Sequence, residues 1–513
     1  MKIPIWFPII FFVANVAVAS ANPQTNATKL SETEQWILAR VRAGGPADLS
    51  EGFPEKEKRK VTVSFLRDLL TGTLPDVKPG RLGVRISGAV IDEAFELSNT
   101  EIPYQVGLDH CQFNGSVNFA RAHFTHAVLF DDSVFNKDVN FNGARVERTI
   151  FFRNTIFKDH AEFTTVQITG QFVADGAQFQ SETQSVDFNT IRIGDSAFFT
   201  KAVFKGPVEF VLANIGINFE ATDATFTYKD KAVDFNSMKV GHIAFFWNVK
   251  FEGSASFVLV AIVNNFEVNG ATFGNQKQTA DFNSMKVGGT AFFNSTAFEG
   301  PVNLTNADFA RLELSDARWP NVPAEIKMLG MSYKSISAGT DMHESHDTLL
   351  RLADRAVYTA DVYRNLEEFF LRQGYRADAD RAFIASKHRE RKQLSWWQPA
   401  WLGSMFLNLL VGYGRHPWQA MIPCAFFIAL GCVFFSPERM ELQKKPDEGD
   451  PARVYNRFWY SLGLFLPFVN LHTTELWKPK TTHALLRNYV RVHILLGWIL
   501  IPIVLAALTG LIK

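Results

Sequence analysis

The chain is 513 residues long and carries 52 basic and 52 acidic side chains, so its net charge is zero. That balance gives no electrostatic case for a nucleic-acid partner, and the length exceeds one ordinary domain, so several parts are expected. Three cysteines, Cys111, Cys424 and Cys432, form no disulfide framework, and two of them stand inside an apolar run.

At the N-terminus Lys2 precedes an apolar run from Ile3 to Ala19, and Ala19-Ser20-Ala21 supplies a small-x-small cleavage pattern before Asn22-Pro23. Residues 1–21 therefore read as a signal peptide. Left uncleaved, the same segment is an anchor that still places the following domain outside the cytosol. Residues 22–104 read as an N-terminal capping region, with a helix entered at Ser31, whose partner Glu34 stands three residues on, and running through Arg42.

Residues 105–320 carry the clearest pattern. Phe141, Phe188, Phe235 and Phe282 stand in near-identical contexts 47 residues apart, as in Val-Asp-Phe-Asn-Thr-Ile-Arg-Ile from Val186 and Val-Asp-Phe-Asn-Ser-Met-Lys-Val from Val233. A fixed period of that size marks a solenoid. A finer beat runs through Phe113, Phe119, Phe124, Phe130, Phe135 and Phe141, alternately six and five residues apart. A helix returns every three or four residues and a strand every two, so this beat requires short extended stretches joined by turns. Small residues precede the phenylalanines, as in Gly270-Ala271-Thr272-Phe273 and Asn306-Ala307-Asp308-Phe309.

These residues resemble the pentapeptide-repeat family, whose unit is a small residue, Asp or Asn, a central Leu or Phe and two variable positions. The resemblance implies a mainly β fold, a right-handed quadrilateral β-helix, with Phe141, Phe188, Phe235 and Phe282 in its core. The chain departs from the family pattern by extra residues in each 47-residue copy, at Lys229-Asp230-Lys231 and Asn275-Gln276-Lys277-Gln278. A bulging polar loop is expected every second turn. At about 4.8 Å per turn, about nine coils give a rod of about 45 Å.

Residues 321–395 read as a linker and an α-helical hairpin. Its first helix runs from Asp347 to Phe370, with Gly374 beyond its end, and its second from about Ala377 to Lys392. The segment Asp341-Met342-His343-Glu344-Ser345-His346-Asp347 holds metal-ligating side chains, yet its composition reads as a solvated loop in which Ser345 or Asp347 caps the next helix. Nucleophile elbow, phosphate loop and dinucleotide fingerprint are all missing from the sequence, which points to a non-enzymatic chain without cofactor or metal.

Residues 396–513 read as a membrane domain, with transmembrane helices at 417–435 and 494–512, an interfacial or marginal segment at 396–412 and a re-entrant segment at 459–471. The order span, short segment, span, entered through Gly412-Tyr413-Gly414-Arg415-His416-Pro417-Trp418, is similar to two-transmembrane ion-channel pore modules. No Thr-Val-Gly-Tyr-Gly ladder follows the short segment. Were a pore present, Asn470 and His472 are the polar residues expected to line it.

The expectation is an integral membrane protein whose solenoid faces the periplasm or another extracytoplasmic space. Its expected partners are the lipid bilayer and proteins, including copies of itself, with no nucleic acid. Two functions remain open: an anchored scaffold for protein contacts, and an oligomeric ion channel or mechanosensor coupled to the rod.

Overall fold

The computed structural model describes residues 30–320, 325–339, 341–444, 454–466, 468–469 and 471–509. The signal-peptide segment and Asn470 lie outside the described residues. The body of the protein is a coil of mostly two-residue parallel strands, four to a turn. A first face runs from Val90–Ile91 to Ala297–Phe298 as a 10-stranded sheet, and a second from Phe95–Glu96 to Ile326–Lys327 as an 11-stranded sheet. The third face, which starts at Glu101–Ile102, and the fourth, which includes Val106–Asp109, merge through the strand Lys286–Phe292 into one 21-stranded sheet.

The coil is longer than the repeat predicts. Strand pairing begins before residue 105, where Val84–Ser87 pairs with Val106–Asp109, and continues past 320 to Ser332–Ser337. The rod therefore makes about 11 turns and is about 50 Å long. The outer turns escape a search for phenylalanine because Ile86, Ile91, Ile102, Met328 and Ile336 fill the inward positions there.

Why the repeat spans 47 residues is visible in the packing. Register partners lie 25 residues apart on one turn, as Gln178 with Val203, and 22 on the next, as Val203 with Thr225, so one repeat is two turns. The extra three residues swell one corner of every second turn. Two of these polar loops touch across the turn between them, Asn275 Nδ2 and Gln278 Nε2 donating to the Lys229 carbonyl at 3.0 and 2.8 Å. On the intervening turns the same corner is glycine. A Cβ at Gly253 would stand 2.5 Å from the Tyr228 carbonyl oxygen, and those at Gly206 and Gly300 would stand closer still to Ser181 and Asn275.

The core also alternates with a two-turn period. On the fourth face Phe172, Ala197, Phe219, Ala244, Phe266 and Ala291 are successive register partners. Two residues further on, the buried side chains are Ala174, Phe199, Ala221, Phe246, Val268 and Phe293. Each large ring thus lies over a small side chain, and the layers interdigitate at near-constant volume. Two other columns are unbroken. Phe141, Phe163, Phe188, Phe210, Phe235, Phe257 and Phe282 stack at centroid distances of 4.6 to 5.5 Å. Along the first face Phe113 to Phe298 stack at 4.6 to 5.2 Å. Offset stacking of this kind adds to the burial of each ring.

Two of the four corners per turn are tight and place one residue in the left-handed region, from Arg121 (φ 57°) and Asp132 (φ 56°) through Asn154 to Asn306. These tight corners carry the five-residue steps of the Phe beat. A buried side chain follows directly, small in Ala122, Ala202 and Ala213 and larger in Ile191, Met238 and Met285.

Both ends of the rod are closed by helices. At the N-terminal end lie α1 (Glu32–Arg42), α2 (Leu49–Gly52) and α3 (Val63–Thr71). Ser31 Oγ accepts from the Glu34 amide at 3.1 Å while Glu34 Oε2 accepts from the Ser31 amide at 2.8 Å, the capping box expected from the sequence. The second oxygen of Glu34 accepts from the amide and hydroxyl of Thr62, the N-cap of α3, so one buried carboxylate ties two helix starts together.

At the other end stand α4 (Met342–Arg355), α5 (Ala360–Arg372) and α6 (Arg376–Lys392). The single helix expected over Asp347–Phe370 is thus two. Its break has a cause: the Val357 amide leaves the helical pattern to donate to Ile326 O of the last turns at 2.8 Å, and Asn365 Nδ2 donates to Met331 O at 2.8 Å. Tyr333 packs edge-on against Phe369 at 5.9 Å, so rod and helices share one core. Beyond them come α7 (Pro399–Val411), α8 (Met421–Phe434), α9 (Arg457–Phe465), α10 (Thr473–Leu476) and α11 (Ala484–Leu508).

Among the described residues one helix is long and apolar enough to cross a membrane, Ala484–Ala506 with 23 residues, and Trp418–Phe434 is a shorter apolar helix. The helix expected at 494–512 thus begins ten residues earlier, because Arg487 and Arg491 continue it where the apolar reading stops.

Two outcomes are expected in unfolding of the full chain in detergent, followed by denaturant titration. Phe246→Ala should cost about 3–5 kcal/mol, and Ala244→Phe about 1–3 kcal/mol by overpacking, with the double exchange recovering part of the loss because it conserves volume. Burial pushes the Glu34 carboxyl up, but hydrogen bonds from Thr62 and Ser31 outweigh it and hold the group below the usual range. Its contribution is then present above the ordinary Glu pKa of about 4.3 and is lost as pH falls through its lower folded value. Glu34→Gln should lower stability at neutral pH by about 1–3 kcal/mol and flatten the acid limb of the stability profile.

Candidate functional site

Phe141, Phe188, Phe235 and Phe282 are fully buried in one stacked column. Their role is packing. The Asp of the recurring phrase faces outward on the second face yet is committed locally. Asp187, Asp234 and Asp281 each accept, at 2.8 to 2.9 Å, from the amide of Asn189, Asn236 and Asn283 two residues on. The neighbouring Asn reaches across the turn, Asn189 and Asn236 side chains accepting from Val211 and Val258 amides at 2.8 and 2.9 Å. The phrase Val-Asp-Phe-Asn is therefore a corner that ties turn to turn, read from its own hydrogen bonds.

The segment 341–347 is no solvated loop. Helix α4 already begins at Met342. Within its first turns Ser345 Oγ accepts from the Ala338 amide at 2.9 Å, and buried His346 meets Asp378 Oδ2 through Nδ1 at 2.7 Å. The imidazole also lies 4.7 Å from both the Phe370 and the Tyr375 rings. Its neighbours lie on α5 and α6, so it fixes the helices to one another. No group of three or more potential metal ligands occurs among the described residues.

What joins the rod-capping helices to the apolar helices is the turn after α7. Gly412, Tyr413 and Gly414 all adopt positive φ, at 52°, 54° and 89°. For the non-glycine Tyr413 this costs free energy, and its contacts over-determine it. The Tyr413 ring is buried, its hydroxyl lies 2.9 Å from Ser404 Oγ, and it accepts from Arg391 of α6 at 3.3 Å. Next in the chain, Arg415 forks between two acids, pairing with Glu367 of α5 and with Asp380 of α6 at 3.1 Å, while its guanidinium lies 4.3 Å from the Phe383 ring centroid. One arginine thus binds α5, α6 and the turn that leads into α8.

Farther along, α8, α9 and α11 pack around a buried polar contact. Ser461 and His493 are fully buried, with Nε2 3.2 Å from Ser461 Oγ. The hydroxyl itself donates to Ile428 O at 2.8 Å, so its proton is directed away from the imidazole. That geometry glues helices together, as small and polar residues do between apolar helices. Gly431 allows it, because a Cβ there would collide with Ser461 Oγ. His472, expected at a pore, is a largely exposed residue with φ 46° whose ring lies 3.8 Å from Glu475. It stands just before α10, away from this polar contact.

Residues 119–167 match the family described as Pentapeptide repeats (9 copies). No curated protein and no solved structure matches the chain. The matched stretch is about two turns long and lies in the rod, where the coil of parallel strands and the repeat pattern agree. The repeat character of the solenoid rests on both. Sequence reading had no signal for the Arg415 fork, since its two acids lie 48 and 35 residues away.

Arg415→Ala should loosen the junction without melting the rod. Limited proteolysis is expected to open the α6–α7 connection around residues 393–398, while far-UV signal and the main unfolding transition stay within about 1 kcal/mol of wild type. Arg415→Lys should restore protection only in part, because an ammonium cannot make the planar two-acid contact.

Proposed function

We propose that the protein is a membrane-anchored, non-enzymatic scaffold that presents its pentapeptide-repeat solenoid to protein partners. The observation that carries the reading is α11. Its apolar stretch of 23 residues is long enough to span a bilayer, and its flank is open rather than packed: Leu485, Val492, Leu495, Trp498 and Leu505 are each at least half exposed. Exposed Trp396, Trp397 and Trp418 fit interfacial anchors around the shorter apolar helices α7 and α8. The rod supplies the other half of the argument, since a stacked solenoid offers a long, regular and rigid surface. On this reading the solenoid is extracytoplasmic.

A second reading has one observation in its favour. The Arg415 fork couples the helices that cap the rod to the turn entering α8, which is the mechanical link that an oligomeric channel or mechanosensor would need.

Membrane fractions washed at alkaline pH, combined with cysteine labelling in the rod and near Leu442, test the reading. The expected outcome is retention in the membrane with labelling of the rod from outside, and release of a chain truncated before Ala484. Release of the intact chain by the wash would overturn the anchor. Currents in planar bilayers at physiological voltage would favour the second reading.

A further inference from the structure

The third face of the rod carries cations on the same two-turn beat as the core. Its outward positions are, in register, Arg145, Gln167, Arg192, Asn214, Lys239, Ala261 and Lys286. Every second one is a cation. Arg145 is paired with Glu147 at 2.8 Å, but Arg192, Lys239 and Lys286 are exposed and form no ion pair among the described residues. Between Gln167 and Lys286 no outward position of this face is acidic, although the adjacent second face carries Asp187, Asp234 and Asp281. In a chain of zero net charge this is a segregation of sign, not an excess.

Three further features make the face a place to bind. Two residues on from Arg192, Lys239 and Lys286 stand Gly194, Gly241 and Gly288, and Gly216 follows Asn214 between them; the floor stays bare there, since a Cβ would strike a carbonyl of the turn before. An open groove of about 300 Å³ lies at the Arg192 end of this row, lined by Arg145, Gln167, Arg192, Gly194, Asn214 and Gly216. On the turns between the cations, Leu212, Ile217, Leu259 and Val263 are left exposed at 56, 43, 58 and 62%. Cation and aliphatic side chain therefore alternate along the axis.

Spacing selects the occupant. Strands 4.7–4.9 Å apart put the cations about 9.5 Å from one another. A polyproline II helix repeats every three residues over about 9.3 Å, with every third side chain on one side. Across both intervals the mismatch is about half an ångström, within the reach of Lys and Arg. A β-strand presents one face about every 6.7 Å and two turns of α-helix span about 10.8 Å, so both fall out of step. We propose that this face docks an extended acidic peptide in polyproline II conformation, with Asp or Glu at every third position facing Arg192, Lys239 and Lys286. The inference rests on the scaffold reading and names the chemistry of its partner.

The test uses the full chain in detergent micelles and two fluorescent peptides of one composition, (Pro-Pro-Glu)6 and (Pro-Glu-Pro-Pro-Pro-Glu)3, compared by anisotropy. The first is expected to bind about tenfold tighter, and R192Q/K239Q/K286Q to lose at least about tenfold, with K250Q on the first face unchanged and all melting transitions preserved. Equal binding of the two peptides, or full binding by the triple variant, overturns the proposal. So does the absence of binding, or preferential displacement by phosphatidylglycerol vesicles, which would assign the face to a lipid surface. A chain that fails here but stays in washed membranes loses this inference and keeps its anchor. Loss from the membrane with peptide binding intact does the reverse.

Discussion

Everything in the rod follows from one constraint: parallel strands in register put each inward side chain about 4.8 Å from its counterparts above and below. At that distance most successive rings lie nearly parallel and offset, as Phe188 and Phe210 do at 6°, while Phe119 and Phe141 are tilted by 51°. The fourth face stacks Phe130 on Phe152 and, from Phe172 onward, trades Phe for Ala from turn to turn. The same proximity governs the corners. A three-residue loop on one turn leaves its neighbour no room for a side chain, so the next turn has glycine. Core alternation and loop alternation thus share a period of two turns, and the sequence repeats in pairs of turns although the backbone repeats singly.

Much of this was legible. The 47-residue spacing of Phe141 to Phe282, the five-six beat and the polar insertions at Lys229 and Asn275 specify a coil with a swollen corner on alternate turns. The rod's ends were hidden because Ile86, Ile91 and Met328 stand where phenylalanine sets the pattern elsewhere. The family match has a similar limit. It covers 119–167, where turns are uniformly 22 residues, and stops where Gln167 begins to pair 25 residues onward with Arg192.

Beyond the rod the sequence was a poorer guide, since long-range contacts decide local structure there. Val357 breaks a strong helical pattern to reach Ile326, and His346 turns what reads as a polar loop into part of a core through Asp378 and Phe370. Arg415 is similar: nothing nearby in the chain announces Glu367 or Asp380. Such sites are fixed by residues 20 to 50 positions away, and local periodicity carries no record of them.

The pairing of turns bears on how such a chain can grow or shrink. Beyond Gln167, removing or adding one turn would set Phe against Phe on the fourth face and bring two swollen corners into contact, whereas a duplication or deletion of 47 residues keeps the neighbour relations intact. There length is quantised. The Asp-Phe-Asn-Ser-Met-Lys-Val-Gly shared at Asp234 and Asp281 is the kind of record that such a tandem event would leave, and any lengthened descendant should differ in height by about 9.5 Å steps.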